Sequence, residues 1–320
     1  MPKTEAEIDT LLQELRDNFI ETKRDDQIRF ALDRLLRRDA NGHVIPVPAK
    51  FSGGQEARGL LVTDHTGGGK SRIIKNTLEN HPALGPNAPE GKKYLSLRVR
   101  SPAILKSVGV NILKATGYSD LSPRRERWSI WDIVRHRLSA LGIVVLHLDE
   151  AHDLRGNGSD IEVRDVLLAV KSLLENVPPV IVILSGIPVL HDILAFDGET
   201  YRRFDKHSIA PVVLATEGDQ LRSLIVGYCK RAGLEPPSVD VVPRLVHGSL
   251  NRFGWCIDMI VHAIGFALRE RSTALTLMHF AQAWQVIWPR PPSENPFFSS
   301  KWANISIIEG SNRKQWMAQP

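Results

Sequence analysis

The stretch DHTGGGKS, Asp64 to Ser71, constrains the fold of this chain more than any other feature. The apolar run LLVTD, Leu60 to Asp64, leads into it, and the amphipathic stretch RIIKNTLEN leads out. Strand, glycine-rich loop and helix in that order make a phosphate-binding loop. Gly67, Gly68 and Gly69 let backbone N–H groups approach phosphate oxygens, and Lys70 is spaced to reach the β- and γ-phosphates. Ser71 offers a hydroxyl to Mg²⁺, and the helix N-terminus adds partial positive charge. His65, Thr66 and Arg72 flank the cradle as further nucleotide-binding candidates. The expected ligand is ATP with Mg²⁺. The pattern GxxxxGK[ST] asks for glycine where this chain has Asp64. Aspartate visits the left-handed backbone region more readily than most residues, so the loop is expected to close. A carboxylate turned toward the phosphates would weaken binding.

Further short apolar runs alternate with amphipathic helices. KYLSLRVR (Lys93 to Arg100), GIVVLHLD (Gly142 to Asp149), PVIVILSG (Pro179 to Gly186) and the shorter PVVL (Pro211 to Leu214) read as strands. Continuous apolar strands separated by helices predict an α/β fold, a parallel sheet covered on both faces.

One of these strands delivers Asp149 and Glu150 at its carboxyl end, in IVVLHLDEAHDL. In a P-loop ATPase the first acid holds Mg²⁺ and the second polarises the attacking water. HLDEAH is not HExxH, so His152 is expected to support the site or lie at the surface rather than bind metal. Ser185 ends the next strand, where a polar group can sense the γ-phosphate or the water. Arg202 and Arg203 precede a further strand; they form surface salt bridges, or one of them reaches a neighbouring subunit's γ-phosphate as an arginine finger.

The flanking segments divide as follows. Residues 1–45 read as an N-terminal helical extension, with Thr4 as N-cap and Ile8, Leu11, Leu12, Leu15 and Phe19 on one face. A second helix carries Ile28, Leu32, Leu35 and Leu36 and is expected to stop at Asn41-Gly42. Its Lys23, Arg24, Arg29, Arg34, Arg37 and Arg38 make either a solvated face or a surface for nucleic acid or a partner. Residues 46–215 form the nucleotide-binding domain, 216–288 a helical lid, and 289–320 a Pro-rich tail, flexible or partner-binding, that holds Phe297, Phe298 and Trp302. A net charge of +5 permits nucleic-acid binding without requiring it. Cys229 and Cys256 lie far apart without metal spacing, which predicts reduced, buried thiols and no structural zinc. No apolar run spans a bilayer and the start lacks a secretory h-region, so a soluble cytoplasmic protein without a membrane partner is expected.

The order of motifs resembles the AAA+ ATPases, and more narrowly the TniB/TnsC family of DNA-transposition ATPases. DHTGGGKS is similar to the family's Walker A, VVLHLDEAHDL to its Walker B, VILSGIPVL to the strand before its G-[TI]-P turn, and YRRF to its arginine segment. HGSLNRFGWCIDMIVHAI followed by LTLMHFAQAW resembles the helical lid, which makes Arg252 the candidate sensor-2 arginine. The resemblance runs from Phe51 to Trp288 and departs from the family at Asp64 and at Ile187, where threonine is usual. It implies ATP-bound subunits that assemble with themselves as rings or filaments around duplex DNA. The assembly would link a target-selecting protein to the transposase, and hydrolysis would disassemble it. By the same resemblance, DNA contacts fall to Arg98, Arg100, Lys106, Arg124 and Arg125. Such contacts are mainly to phosphate, tolerant of sequence and sensitive to salt. A helicase loader or replication initiator would share nearly every motif. A small-molecule kinase would need an acceptor pocket, and a nucleotide-gated signalling ATPase would assemble without DNA.

Overall fold

Two threonines start the first two helices. Thr4 caps α1 (Glu5–Asp17) and Thr22 caps α2 (Lys23–Asp33). In each, the third helical residue, Glu7 or Asp25, accepts a bond from the threonine N–H, so both orphan donors are satisfied. The computed structural model describes residues 3–51, 53, 56–100, 103–118, 122, 124–155 and 160–307. Its contacts divide the chain into a sheet unit, Glu21–Ala210, and a helical unit, Met1–Ile20 with Pro211–Pro320. The segment 1–45 is therefore split, with α1 in the helical unit and α2 in the sheet unit.

Helix α2 stops well before Asn41-Gly42. Leu36–Arg38 (β1) and Val44–Pro48 (β2) pair antiparallel instead. Asn-Gly serves as the hairpin turn, with Gly42 at φ 84° and the Asp39 carboxylate accepting from the N–H groups of Asn41 and His43. Arg24, expected on a charged face, is buried and donates through Nε to the Ala210 carbonyl at 2.8 Å.

The main sheet is parallel with strand order β4-β5-β6-β3-β7, built from β3 (Gly59–Thr63), β4 (Tyr94–Arg98), β5 (Val145–Asp149), β6 (Ile181–Gly186) and β7 (Phe204–Ser208). The helices of this unit are α3 (Lys70–Asn80), α4 (Leu105–Ala115), α5 (Arg127–Ala140), α6 (Asp160–Leu174), α7 (Leu190–Ala195) and α8 (Gly198–Arg202). Alternate residues supply two cores. Leu60, Val62, Val145, Ile181 and Ile183 pack with Ile73, Ile74 and Leu78 of α3. Leu61, Leu146, Leu148, Val182 and Leu184 pack on the opposite face with α4, α5 and α6. Of the three interior strands, β3 and β6 are buried throughout and β5 up to Asp149, whereas edge strands β4 and β7 alternate.

The last strand is Phe204–Ser208, not Pro211–Leu214. Phe204 inserts against Gly59, its register partner on β3, where a β-carbon would lie 2.3 Å from the phenyl ring. Pro211 has no N–H for a ladder, and Leu214 already begins the next helix.

The helical unit contains α9 (Leu214–Ala232), α10 (Val242–Gly248), α11 (Phe253–Arg269) and α12 (Leu277–Ile287). Helix α1 buries Ile8, Leu12 and Leu15 in its core, Leu15 O accepts from the Tyr228 hydroxyl, and Arg269 of α11 pairs with Glu5 and Asp9. The tail packs here as far as Ile307. Phe297 is buried and stacks on Phe280 at 5.6 Å, and Asn295 donates to the Ala281 carbonyl. Trp302 lies edge-on to His247, while Phe298 is exposed; residues 308–320 of the expected tail lie outside the described residues. Among the described residues, no helix is long and apolar enough to cross a membrane and no cluster of metal-ligating side chains occurs.

Candidate nucleotide site

The loop after β3 reaches α3 through glycines that the backbone requires. Gly67 has φ 84° and Gly69, the N-cap of α3, has φ 96°, a region that side chains resist. Gly68 N–H donates to His65 O at 3.3 Å, which closes the turn. Asp64 fits by its side chain and not, as expected, by a left-handed backbone: it is not among the residues with positive φ. Its Oδ1 accepts from the His65 N–H at 2.7 Å, and its Oδ2 fills the space beside Gly68. His65, Thr66 and Arg72 are exposed around the loop. Lys70 is only 5 % exposed, and none of the described residues pairs with its ammonium group. A lysine in the first turn of a helix adds its charge to the positive end of the helix dipole, which favours an anion there.

Asp149 ends β5 and reaches the same loop. Its carboxylate accepts from Ser185 Oγ at 2.6 Å and from the Ser71 hydroxyl, so Walker A and Walker B side chains meet. Burial pushes the Asp149 carboxyl up, but the bond from Ser185, the neighbouring His147, and the bonds from Ser71 and the Glu150 N–H outweigh it and hold the group below the ordinary carboxylate range. A carboxylate kept ionised next to a hydroxyl suits a hard divalent cation such as Mg²⁺.

Glu150 follows in the left-handed region, at φ 55°, a conformation that costs a non-glycine residue about 1 kcal/mol. Its Oε2 lies 3.3 Å from Nδ1 of His152, on a short 3-10 turn over Ala151–Arg155. Gly186 makes room for this contact, since a β-carbon there would approach His152 Nδ1 to 3.0 Å. His152 therefore lies against the Glu150 carboxylate.

Sequence reasoning named Ser185 but missed His147 and Ser96 behind it. His147 is fully buried, with Nδ1 2.8 Å from Ser96 Oγ and Nε2 2.8 Å from Ser185 Oγ. Burial holds its imidazole well below the usual range, against the pull of Asp149. The available signal was a histidine inside the otherwise apolar run VVLHLD.

The arginines separate. Arg203 is buried, with its guanidinium 2.7 Å from Glu56 and 2.7 Å from Glu175, so its partners lie within the chain. Arg202 is exposed at the end of α8. Arg252 belongs to the helical unit, where it starts α11 with its guanidinium over the Trp255 ring. Arg98 is the register partner of Asp149 on exposed positions of β4, and Arg100 beyond it is exposed. Lys106 is half-buried in the first turn of α4; Arg124 is exposed and Arg125 half-buried just before α5.

Comparison with known proteins bears on this arrangement. No curated protein matches the sequence. The structure is similar to the ORC1 protein of Aeropyrum pernix in complex with DNA, at TM-score 0.61 and 15% identity, over 90% of this chain and 70% of that one. It is also similar to the ORC2 protein of Aeropyrum pernix in its ADPNP-ADP complexes, at TM-score 0.59 and 13% identity, over 96% and 74%. Drosophila ORC bound to DNA gives TM-score 0.57 at 13% identity, over 92% and 70%. At these identities the likeness concerns the fold. The sequence profile of the bacterial TniB protein matches residues 48–212. The chain belongs to the TniB family and is an AAA+ ATPase with the P-loop αβα fold.

Proposed function

We propose that this protein is an ATP-dependent, DNA-binding regulator of transposition that assembles on duplex DNA. The observation that carries the nucleotide part is the meeting of two motifs: the hydroxyl of Ser71, next in the chain to the largely buried Lys70, is bonded to the Asp149 carboxylate. Lys70 and the glycine N–H groups take the phosphates, and Ser71 and Asp149 are the oxygen donors that would hold Mg²⁺. The cation would neutralise charge on the phosphate oxygens. Glu150 receives the proton of the attacking water, and Ser185 reports on Asp149.

Arg202, exposed and at a helix end, is the finger that acts on a neighbouring subunit's nucleotide, because Arg203 is held by Glu56 and Glu175. Hydrolysis then depends on assembly. Arg252 is the proposed sensor from the helical unit. Arg98, Arg100, Lys106, Arg124 and Arg125 are the proposed phosphate contacts; Arg98 is the register partner of Asp149. Family membership supports a transposase and a target selector as partners. The second reading is a replication initiator, which would use the same phosphate loop and acid pair.

The test is fluorescence anisotropy of a random-sequence duplex with a non-hydrolysable ATP analogue, ADP or no nucleotide, with Lys70→Ala as control. Binding with the analogue alone, lost in the control, supports the proposal. Equal binding in every state overturns the ATP gate, and a strong preference for one origin-like sequence moves the reading to replication.

A further inference from the structure

The strand that presents Asp149 carries a polar side chain where its neighbours are apolar. His147 is 1 % exposed in β5, between β4 and β6, and each flanking strand offers it a serine. Ser96 is its register partner on β4. Ser185 on β6 lies diagonally beyond Ile183, the register partner on that side. A valine at this position would satisfy the core without any of these bonds, whereas an unbonded imidazole there would be costly.

The bonds form one directed chain. An ionised carboxylate only accepts, so the single hydroxyl proton of Ser185 goes to Asp149 Oδ1, at 2.6 Å. Ser185 Oγ must then accept from His147 Nε2–H at 2.8 Å. That leaves Nδ1 without a proton, and it accepts from the Ser96 hydroxyl at 2.8 Å. Every proton is used once. The chain ends on a carboxylate that is also bonded to Ser71 of the phosphate loop.

We propose that His147 is a positioning residue for the cation site: held by Ser96, it fixes the Ser185 hydroxyl, which pins Asp149 Oδ1 and so sets the plane of the carboxylate shared with Ser71. This rests on the nucleotide reading given above. Groups that orient a metal ligand through hydrogen bonds typically change metal affinity by about 10- to 100-fold when removed. Loss of His147 is therefore felt in Mg²⁺ dependence before it is felt in metal-free nucleotide binding, where Lys70 and the glycine N–H groups act alone.

The experiment uses the full chain and a fluorescent non-hydrolysable ATP analogue, titrated with and without EDTA, and the Mg²⁺ concentration that half-saturates the tightening is recorded. His147→Phe should raise that concentration about tenfold and leave the metal-free affinity within about twofold. His147→Gln, whose amide can still donate to Ser185, should recover most of the shift. Ser185→Ala should match His147→Phe, and the double variant should add little. An unchanged Mg²⁺ midpoint in His147→Phe, an equal shift in Phe and Gln variants, or full additivity overturns the proposal. If His147→Phe fails to fold, the Ser185→Ala and His147→Gln pair decides the same question by the same midpoints. A wild-type chain that binds no analogue overturns the nucleotide reading itself, and is distinguishable because no variant is needed to see it.

Discussion

The Asp64 carboxylate occupies the space that a side chain at Gly68 would need: Oδ2 lies 1.3 Å from the position of a Gly68 β-carbon. The residue that breaks the phosphate-loop pattern and the glycine four positions later are thus a matched pair. Gly68→Ala is expected to weaken ATP-analogue binding about tenfold, near 1.4 kcal/mol, by driving Asp64 out of the loop. The double variant Asp64→Ala, Gly68→Ala should regain most of that loss. Additive losses in a double-mutant cycle would mean that the two positions act independently.

Arg202 and Arg203 should respond oppositely. Arg203→Ala leaves the buried Glu56 carboxylate without its partner and should cost about 3 kcal/mol, read as a lower urea midpoint. The exposed share of Glu175 adds little. Arg202→Ala should hold stability within about 0.5 kcal/mol while assembly-dependent ATP hydrolysis is lost. Hydrolysis kept in Arg202→Ala and lost in a folded Arg203→Ala would reverse the assignment.

His152 Nδ1 lies 3.3 Å from the Glu150 carboxylate and packs against it. Its replacement by alanine should free that carboxylate and raise DNA-independent ATP turnover by about threefold, the equivalent of a weak polar contact of about 0.6 kcal/mol. Gly186→Ala should act in the same direction by displacing the imidazole. A fall in turnover in both variants would show that the histidine aligns the glutamate for water instead of withholding it. Nucleotide affinity, measured in parallel, should stay within about twofold.

Cys229 and Cys256 are buried in the helical unit, and burial pushes the Cys229 thiol up to about 11. Native protein at about pH 8 should therefore resist a thiol-labelling reagent except through opening of that unit. Phe297→Ala removes a buried ring at a cost of about 3 kcal/mol, so labelling should accelerate on the order of 100-fold. Unchanged labelling would mean that the tail contributes nothing to the stability of this core.

What was legible in the sequence follows from how each element is stabilised. β3, β5 and β6 are covered on both faces, so they read as continuous apolar runs. β7 is an edge strand, and in FDKHS only Phe204 is buried in the core, which made PVVL the more conspicuous candidate. Asn41-Gly42 was visible as a turn, but the short strands beside it were hidden in what looked like the end of a helix. The phosphate loop and the acid pair were readable because each is local. Ser96, His147 and Ser185 come from separate strands, and their contact exists only once the sheet register is set. The same holds for Arg203, whose partners Glu56 and Glu175 are distant in sequence and which therefore looked equivalent to Arg202.

Helix α1 precedes the sheet unit in the chain, yet α9 and α11, against which it packs, follow it. During synthesis the Ile8, Leu12 and Leu15 face has no native surface to meet until α11 leaves the ribosome, whereas every strand of the sheet has emerged by Ser208. The sheet unit is thus free to fold while α1 waits as an exposed amphipathic segment.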